Sequence, residues 1–324
     1  MNTSTPYANL HPDVILSAIE SVGIPCNGSL LALNSYENRV YQIGVEDAAP
    51  VIVKFYRPGR WSNAAILEEH QFALELAQHE IPVVAPLLLQ DQTLHTYLDF
   101  RFAVFPRQGG RAFEADNTEQ LEWMGRFIGR IHAIGSCQPF QHRITLNAQT
   151  YGHGPYQFLL ENNFIPDELK REYCETVEAL LQKIENVFAE VGTIKQLRLH
   201  GDCHPGNILW NPQGPQIVDL DDCLMGPAIQ DIWMLLSGHT RQEWQLPLDY
   251  ILCGYEAFYD FDYRELRLIA AFRSLRMIHY SAWLAKRWQD PAFPLNFPWF
   301  NTLHYWREQI ENLRQQALLY EALE

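Results

Sequence analysis

His200-Gly201-Asp202-Cys203-His204-Pro205-Gly206-Asn207, followed by Ile217-Val218-Asp219-Leu220-Asp221-Asp222, is the stretch on which the reading of this chain turns. Between the two lies Asn211-Pro212-Gln213-Gly214-Pro215, a turn-forming composition, so Asn207–Trp210 and Gln216–Asp219 read as the arms of a short hairpin. A hairpin symmetric about Gln213 sets Asn207 opposite Asp219. Directly opposed residues share one face, with Cβ atoms about 4.5–5.5 Å apart. An amide oxygen and a carboxylate at that separation can share one Mg²⁺, whose ligands lie at about 2.0–2.1 Å. Asp221 shares the face of Asp219 if the strand continues, as an accessory ligand or a group that steadies the ligands, and Asp222 does not. Three carboxylates straight after an apolar strand repel one another, and a cation gives the simplest relief. Taken alone, His-Gly-Asp is weak, since Asp202 could cap a helix; Asn207 and the Ile-Val-Asp strand beyond it lend the triplet weight. His200, Cys203 and His204 are zinc-ligand types, but no second Cys or His pair stands at finger spacing, so zinc is not expected. His200 reads instead as a packed histidine that positions the turn.

Upstream, Val51-Ile52-Val53-Lys54-Phe55-Tyr56 sets one lysine inside an apolar strand, and a buried lysine needs an anionic partner. The helix predicted next, Ala64–Gln78, offers Glu68 and Glu69. It ends at Ile81-Pro82-Val83, because proline disfavours helical geometry in the residue before it. The other strand-like runs of this half are Ser29–Leu33, Arg39–Ile43, Pro86–Leu89 and Tyr97–Phe105. From Asp116 onward the pattern is mostly helical. Leu121, Met124, Ile128 and Ile131 form one stripe, and helices are predicted over Asp167–Val191, Ala228–Leu236, Leu248–Tyr259, Arg264–Arg287 and Thr302–Glu321. The fold class expected is therefore α+β in two lobes: a β-rich lobe over 1–105 with one main helix, a hinge over 106–112, and a larger helical lobe over 113–324. Asp290–Trp299, dense in proline and aromatics, reads as an irregular segment packed between late helices.

Composition narrows the function classes. The 324 residues carry 24 basic and 39 acidic side chains, a formal charge of −15. That balance argues against a dedicated nucleic-acid binder or an anionic membrane surface as partner. No apolar run is long enough for a transmembrane helix, and Met1–Asp13 shows neither the basic nor the apolar region of a signal peptide. Six cysteines without C-x-x-C spacing read as reduced thiols, so a cytoplasmic protein is expected, and a monomer.

The spacing from Asp202 to Asn207 matches the catalytic loop of kinase-like phosphotransferases, in which the aspartate accepts a hydrogen bond from the attacking hydroxyl and the asparagine is a neutral oxygen ligand for Mg²⁺. Together with Lys54, these residues resemble the aminoglycoside phosphotransferase and choline kinase branch of the protein-kinase-like fold, with H-G-D for H-R-D and V-D-L-D for D-F-G. The turn Leu33–Tyr41 has no G-x-G-x-x-G, but its backbone N–H groups and the Ser35 hydroxyl could still cradle phosphates. Nearly end to end, the chain resembles the bacterial stress response kinase A family. The match runs through L-N-S-Y-E-N-R-V-Y-Q (33–42), V-K-F-Y-R-P (53–58), I-L-E-E-H-Q-F-A-L (66–74), L-R-L-H-G-D-C-H (197–204), G-N-I-L-W (206–210), V-D-L-D-D (218–222), G-P-A-I-Q-D-I-W-M-L-L (226–236) and D-P-A-F-P-L-N-F-P-W (290–299). That resemblance implies an ATP- and Mg²⁺-dependent kinase of protein Ser/Thr hydroxyls. It implies Asp202 as proton acceptor, Asn207 and Asp219 at the metal, Lys54 and Ser35 on the ATP side, Glu69 as the lysine's partner, and adenine near Val104–Arg107. Pro205 and Cys223-Leu224-Met225 depart from the family pattern without touching a proposed ligand. The alternative on the same fold is a kinase of a small alcohol, such as an amino alcohol or homoserine, because substrate choice lies in the surface of the helical lobe. A nucleotide-sensing pseudokinase fits less well, given intact Lys54, Asp202, Asn207 and Asp219, and a metal phosphatase would want its nucleophilic aspartate on the first strand.

Overall fold

The computed structural model describes residues 6–238 and 240–320. The chain opens with helix α1 (Pro12–Ser21), then strands β1 (Cys26–Ala32), β2 (Arg39–Val45) and β3 (Ala48–Phe55), helix α2 (Asn63–Gln78), and strands β4 (His95–Tyr97) and β5 (Phe100–Pro106). The strands form one antiparallel sheet in the order β1-β2-β3-β5-β4. The two-residue period of β3 divides its side chains cleanly. Val53 and Phe55 turn to a core closed by Ile15, Ala18 and Ile19 of α1, while Ile52 and Lys54 turn to the opposite face. Helix α1 adds a shorter helix to the one main helix expected of this lobe. Its signals are local: Pro12 in the first turn, Asp13 behind it, and Ile15, Ala18, Ile19 and Val22 at helical spacing. The run Tyr97–Phe105 divides at Leu98, whose φ of 51° turns the chain between β4 and β5. Pro86–Leu89 forms no ladder strand; only Leu87 N–H reaches the sheet, at the Val104 carbonyl.

Beyond β5, strand β6 (Arg111–Ala112) leads to helices α3 (Thr118–Gly135), α4 (Gly154–Glu161) and α5 (Asp167–Val191), then strands β7 (Leu197–Leu199), β8 (Ile208–Asn211), β9 (Gly214–Ile217) and β10 (Leu224–Gly226). Helices α6 (Ile229–Trp233), α7 (Arg241–Tyr255), α8 (Ile269–Lys286), α9 (Ala292–Asn296) and α10 (Leu303–Leu319) complete the larger lobe. The stripe Leu121, Met124, Ile128 and Ile131 is buried in its core, and Asp167–Val191 is one helix as expected. Phe293, Phe297 and Phe300 join that core from the aromatic segment. The predicted last helix stops at Leu319; its expected end at Glu321, and residues Met1–Thr5 of the start, lie outside the described residues.

Helix α2 belongs to both lobes. The Ser62 hydroxyl caps it by accepting from Ala65 N–H at 3.1 Å, and its Phe72, Ala73 and Leu76 sit in the larger core. A second junction is ionic. Glu37, in the turn between β1 and β2, accepts from Trp283 Nε1 at 2.7 Å and pairs with Arg287; Arg57 Nη2 donates to Asp290 at 2.5 Å; and Asn38 Nδ2 donates to Asp221 at 3.1 Å. These contacts fasten the small sheet to the helical half.

Candidate active site

The hairpin forms, in a different register from the one expected. Ile208 pairs with Ile217 and Asn211 with Gly214, so the turn holds two residues, Pro212 and Gln213, rather than centring on Gln213. This sets Asn207 level with Val218, whose N–H donates to the Asn207 carbonyl at 3.0 Å. Asp219 still reaches the same cavity, because its left-handed backbone (φ 62°, ψ 68°) breaks the strand and turns the carboxylate back. The face-to-face strand pair is therefore replaced by a short helical turn at Pro205–Asn207 and a kink at Asp219.

That cavity, about 390 Å³, lies between the sheet and the hairpin. Its walls are largely apolar (Val40, Ile52, Phe105, Leu209 and Val218 among them), Lys54, Glu69 and Asp219 meet at its polar end, and Ser35 and Asn207 are also in the lining. Lys54, nearly buried in β3, donates to Asp219 Oδ1 at 2.9 Å and to Glu69 Oε1 at 3.4 Å. Burial alone would lower the lysine's pKa, but Asp219, Glu69 and Asp221 raise it well above its ordinary value. Glu69 rather than Glu68 meets the lysine. Glu68 faces away and accepts the backbone N–H groups of Gln141 and His142. The Ser35 hydroxyl donates to the Asn38 carbonyl at 2.6 Å and so braces its own turn. Phe105 and Pro106, from the stretch expected to receive adenine, line the apolar end.

On the far side of the Pro205–Asn207 turn stands Asp202. Arg276 donates to its Oδ1 at 2.8 Å, and His204 Nε2 lies 3.5 Å from its Oδ2. Burial pulls this carboxyl up, but Arg276, His204 and His200 outweigh it and hold the pKa below the usual aspartate value. His200 packs under the turn as expected. Its Nε2–H donates to the Val218 carbonyl at 2.9 Å, leaving Nδ1 to accept from Asp202 N–H at 3.3 Å. Asp231, from α6, accepts the N–H groups of His200 and Gly201 and bonds His132 Nε2 at 3.1 Å.

Gly201 has φ 84°, and a Cβ there would stand 2.2 Å from the Asp222 carbonyl. The arginine that receives an activation-loop phosphate in protein kinases has no room at this position. Any phosphoryl transfer by the purified protein is accordingly expected to survive treatment with a phosphatase; complete loss would contradict this.

Sequence reasoning missed three arginines. Arg143, fully buried, joins Glu69 Oε2 (2.9 Å), the Asp221 carbonyl (2.6 Å) and the Ala65 carbonyl (2.8 Å). Arg60 pairs with both Asp221 and Asp222, and Arg276 holds Asp202. The relief expected from a cation is thus largely given by side chains, and Asp221 is held by Arg60 and Asn38 rather than facing the cavity. Burial pushes the Asp221 pKa up, yet Arg60, Lys54, Arg143 and Asn38 bring it down to about 2. An unfolded aspartate titrates near pH ~3.9, so this group stabilises the fold above that pH, and the gain, about 2 kcal/mol, is lost as pH falls toward the folded value. Acid unfolding followed by circular dichroism should show this slope in the wild type and a flatter one in Asp221→Asn.

The polar end fits a divalent ion that arrives with a nucleotide. Among the described residues no cluster of three His, Cys, Asp or Glu side chains could cage a metal. Asn207 Nδ2 donates to the Asp202 carbonyl at 3.0 Å, which leaves its Oδ1 as a ligand, and the Asp219 carboxylate is half exposed. Two oxygen donors completed by phosphates are the usual protein contribution to Mg²⁺ sites of this kind.

The sequence profile of the Phosphotransferase enzyme family matches residues 29–269. Stress response kinase A of Escherichia coli (strain K12) is 46% identical over 98% of this chain and 95% of its own length. The chain belongs to the phosphotransferase enzyme family, in its stress response kinase A branch. A further relative of this phosphotransferase is "Serine/threonine protein kinase RdoA" of Salmonella typhimurium, 45% identical over 97% of the chain and 95% of the relative. Among solved structures, amicoumacin kinase hAmiN in complex with AMP-PNP, Ca²⁺ and Ami matches the phosphotransferase with a TM-score of 0.68 at 22% identity, over 93% of each chain. The microcompartment-associated aminopropanol kinase matches with a TM-score of 0.67 at 17% identity, over 95% of this chain and 97% of that one. These likenesses establish the two-lobed fold of the aminoglycoside phosphotransferase and choline kinase type. Among the described residues of the phosphotransferase, no helix is long and apolar enough to cross a membrane.

Proposed function

We propose that this phosphotransferase moves the γ-phosphoryl group of ATP, with Mg²⁺, to Ser/Thr hydroxyls of proteins, as a cytoplasmic monomer acting in a stress response. The observation that carries the reading is Lys54 bridging Glu69 and Asp219 at the polar end of an apolar cavity, with Asp202 across the turn. Adenine lies against Phe105, Val40 and Ile52, and Lys54, fixed by Glu69, meets the α- and β-phosphates. Asn207 and Asp219 would hold Mg²⁺, which offsets the phosphates' negative charge when bound. Asp202 accepts a hydrogen bond from the incoming hydroxyl; the bond from the γ-phosphorus to the bridging oxygen breaks, a bond to the acceptor oxygen forms, and the hydroxyl proton passes to Asp202. The protein acceptor is supported by relatives of near full length that bear protein-kinase and stress-response names. The second reading, a small alcohol as acceptor, is favoured by the structural neighbours, whose names include aminopropanol and spectinomycin.

The test is transfer from γ-labelled ATP into a cell extract from which endogenous kinases have been inactivated. Label recovered as phosphoserine or phosphothreonine in protein supports the first reading. Label confined to small molecules supports the second, and no transfer at all removes both.

A further inference from the structure

Helix α8, with its C-cap Arg287, presents Arg273, Arg276, Tyr280, Trp283 and Arg287 at alternating spacings of three and four, one face of the helix. Its C-terminal end holds Glu37 through Trp283 and Arg287, while Arg276 reaches Asp202. The row thus flanks the space an acceptor must enter. Beside its first half opens a cavity of about 610 Å³ lined by Trp233, Arg273, Arg276, Tyr280 and Gln309, with no carboxylate among its described lining residues. In a chain with 39 acidic against 24 basic residues, a cavity that presents two arginines and aromatic rings beside the catalytic aspartate departs from the average surface, with Asp202 paired to Arg276 and the Glu243 charge acting on Arg273.

The Arg276–Asp202 pair also sets a requirement. Asp202 must offer an oxygen to the acceptor hydroxyl; Arg276 takes its Oδ1, which leaves Oδ2, 3.5 Å from His204, as the accepting atom. The Arg276 side chain is 42% exposed, so it can swing to another partner at small cost. A hydroxyl compound with its own anionic group supplies that partner; a cationic amino alcohol does not, and it meets like charge from Arg276.

We propose that the preferred acceptor carries a carboxylate or phosphate close to the hydroxyl, and that Arg276 is the specificity residue that leaves Asp202 to hold it. This rests on the phosphotransferase reading above and narrows its substrate class. Arg276 already touches Asp202, so the anion lies within one or two residues of the reacting hydroxyl, each spanning about 3.3–3.6 Å.

The experiment is steady-state kinetics of the full chain with Mg-ATP on two arms. One arm uses serine peptides with Glu, phosphoserine, Gln or Lys beside the serine; the other uses small hydroxy acids against neutral and amino alcohols. The expected result is a kcat/KM about tenfold or more higher for the anionic member, carried by KM, on whichever arm turns over. Arg276→Gln should abolish the preference, Arg276→Lys should partly restore it, and Arg276→Glu should shift it to the lysine peptide or the amino alcohol. Thermal melts of each variant report folding. Preference of the wild type for neutral or cationic acceptors overturns the proposal, as does an equal fall for all acceptors in Arg276→Gln, which would assign Arg276 to the transferred phosphoryl group. Turnover without anionic preference sinks this inference alone. ATP that binds but is never transferred, on either arm, sinks the phosphotransferase reading with it.

Discussion

Asp202→Asn is expected to lower kcat by about 10²–10⁴-fold, the range for removing a positioned proton acceptor, with nucleotide affinity retained. The separation follows from geometry. Asp202 is absent from the lining of the cavity between the sheet and the hairpin, and Asn207 is held by the Asp202 carbonyl, which the substitution keeps. Asparagine fills the same volume and can accept from Arg276, so the loop is preserved while the negative charge is lost. Because the surrounding cations hold the Asp202 pKa below its ordinary value, this group stays ionised across the neutral range and contributes no loss of activity until well into acid. Single-turnover rates with saturating ATP, alongside ADP titration, separate the two effects. A drop of only a few fold would remove Asp202 from the role assigned here.

The second large effect is expected at Asp219. Asp219→Ala removes a cavity-facing carboxylate and the nearer of the two hydrogen-bonding partners of Lys54, leaving Glu69 at 3.4 Å. Loss of a preorganised charge of this sort costs about 10²–10³ in rate, and the Mg²⁺ concentration needed for half-maximal activity should rise. Alanine adds a second fault, since the position has φ 62°, a region that non-glycine residues enter at a cost of roughly 1–2 kcal/mol. Asp219→Asn, which tolerates that backbone, isolates the charge. If Asp219→Asn loses activity with a melting temperature like the wild type, the carboxylate is responsible. A change of a few fold at saturating metal would contradict the assignment.

Much of this site is readable from the chain because its information is local. Lys54 announces itself as the one charge in an apolar strand, and the two-residue period of β3 sends it to the cavity face together with Ile52. Asn207 and Asp219 are neighbours through a short hairpin, a proximity the sequence encodes even though the two-residue turn and the left-handed kink were not visible in it. Helix α1 is legible too, in Pro12 and the spacing of Ile15, Ala18 and Ile19. Arg143, Arg276 and Asp231 are of another kind. Each reaches the site from a distant part of the chain, and nothing about an arginine in a helical pattern says which carboxylate it will face. Arg60 alone had a nearer hint, two residues after the Arg57-Pro58 pair and just ahead of α2.

The fastening of the β1–β2 turn has a consequence of its own. Glu37 and Asn38 are anchored to the helical half by Trp283, Arg287 and Asp221, and Arg57 is anchored to Asp290 close by. A wide parting of the two halves, as pages open from a spine, would have to break all of these bonds together. Ions in the medium hardly reach a clasp buried this way, so brine that would loosen pairs on the outer surface leaves it shut.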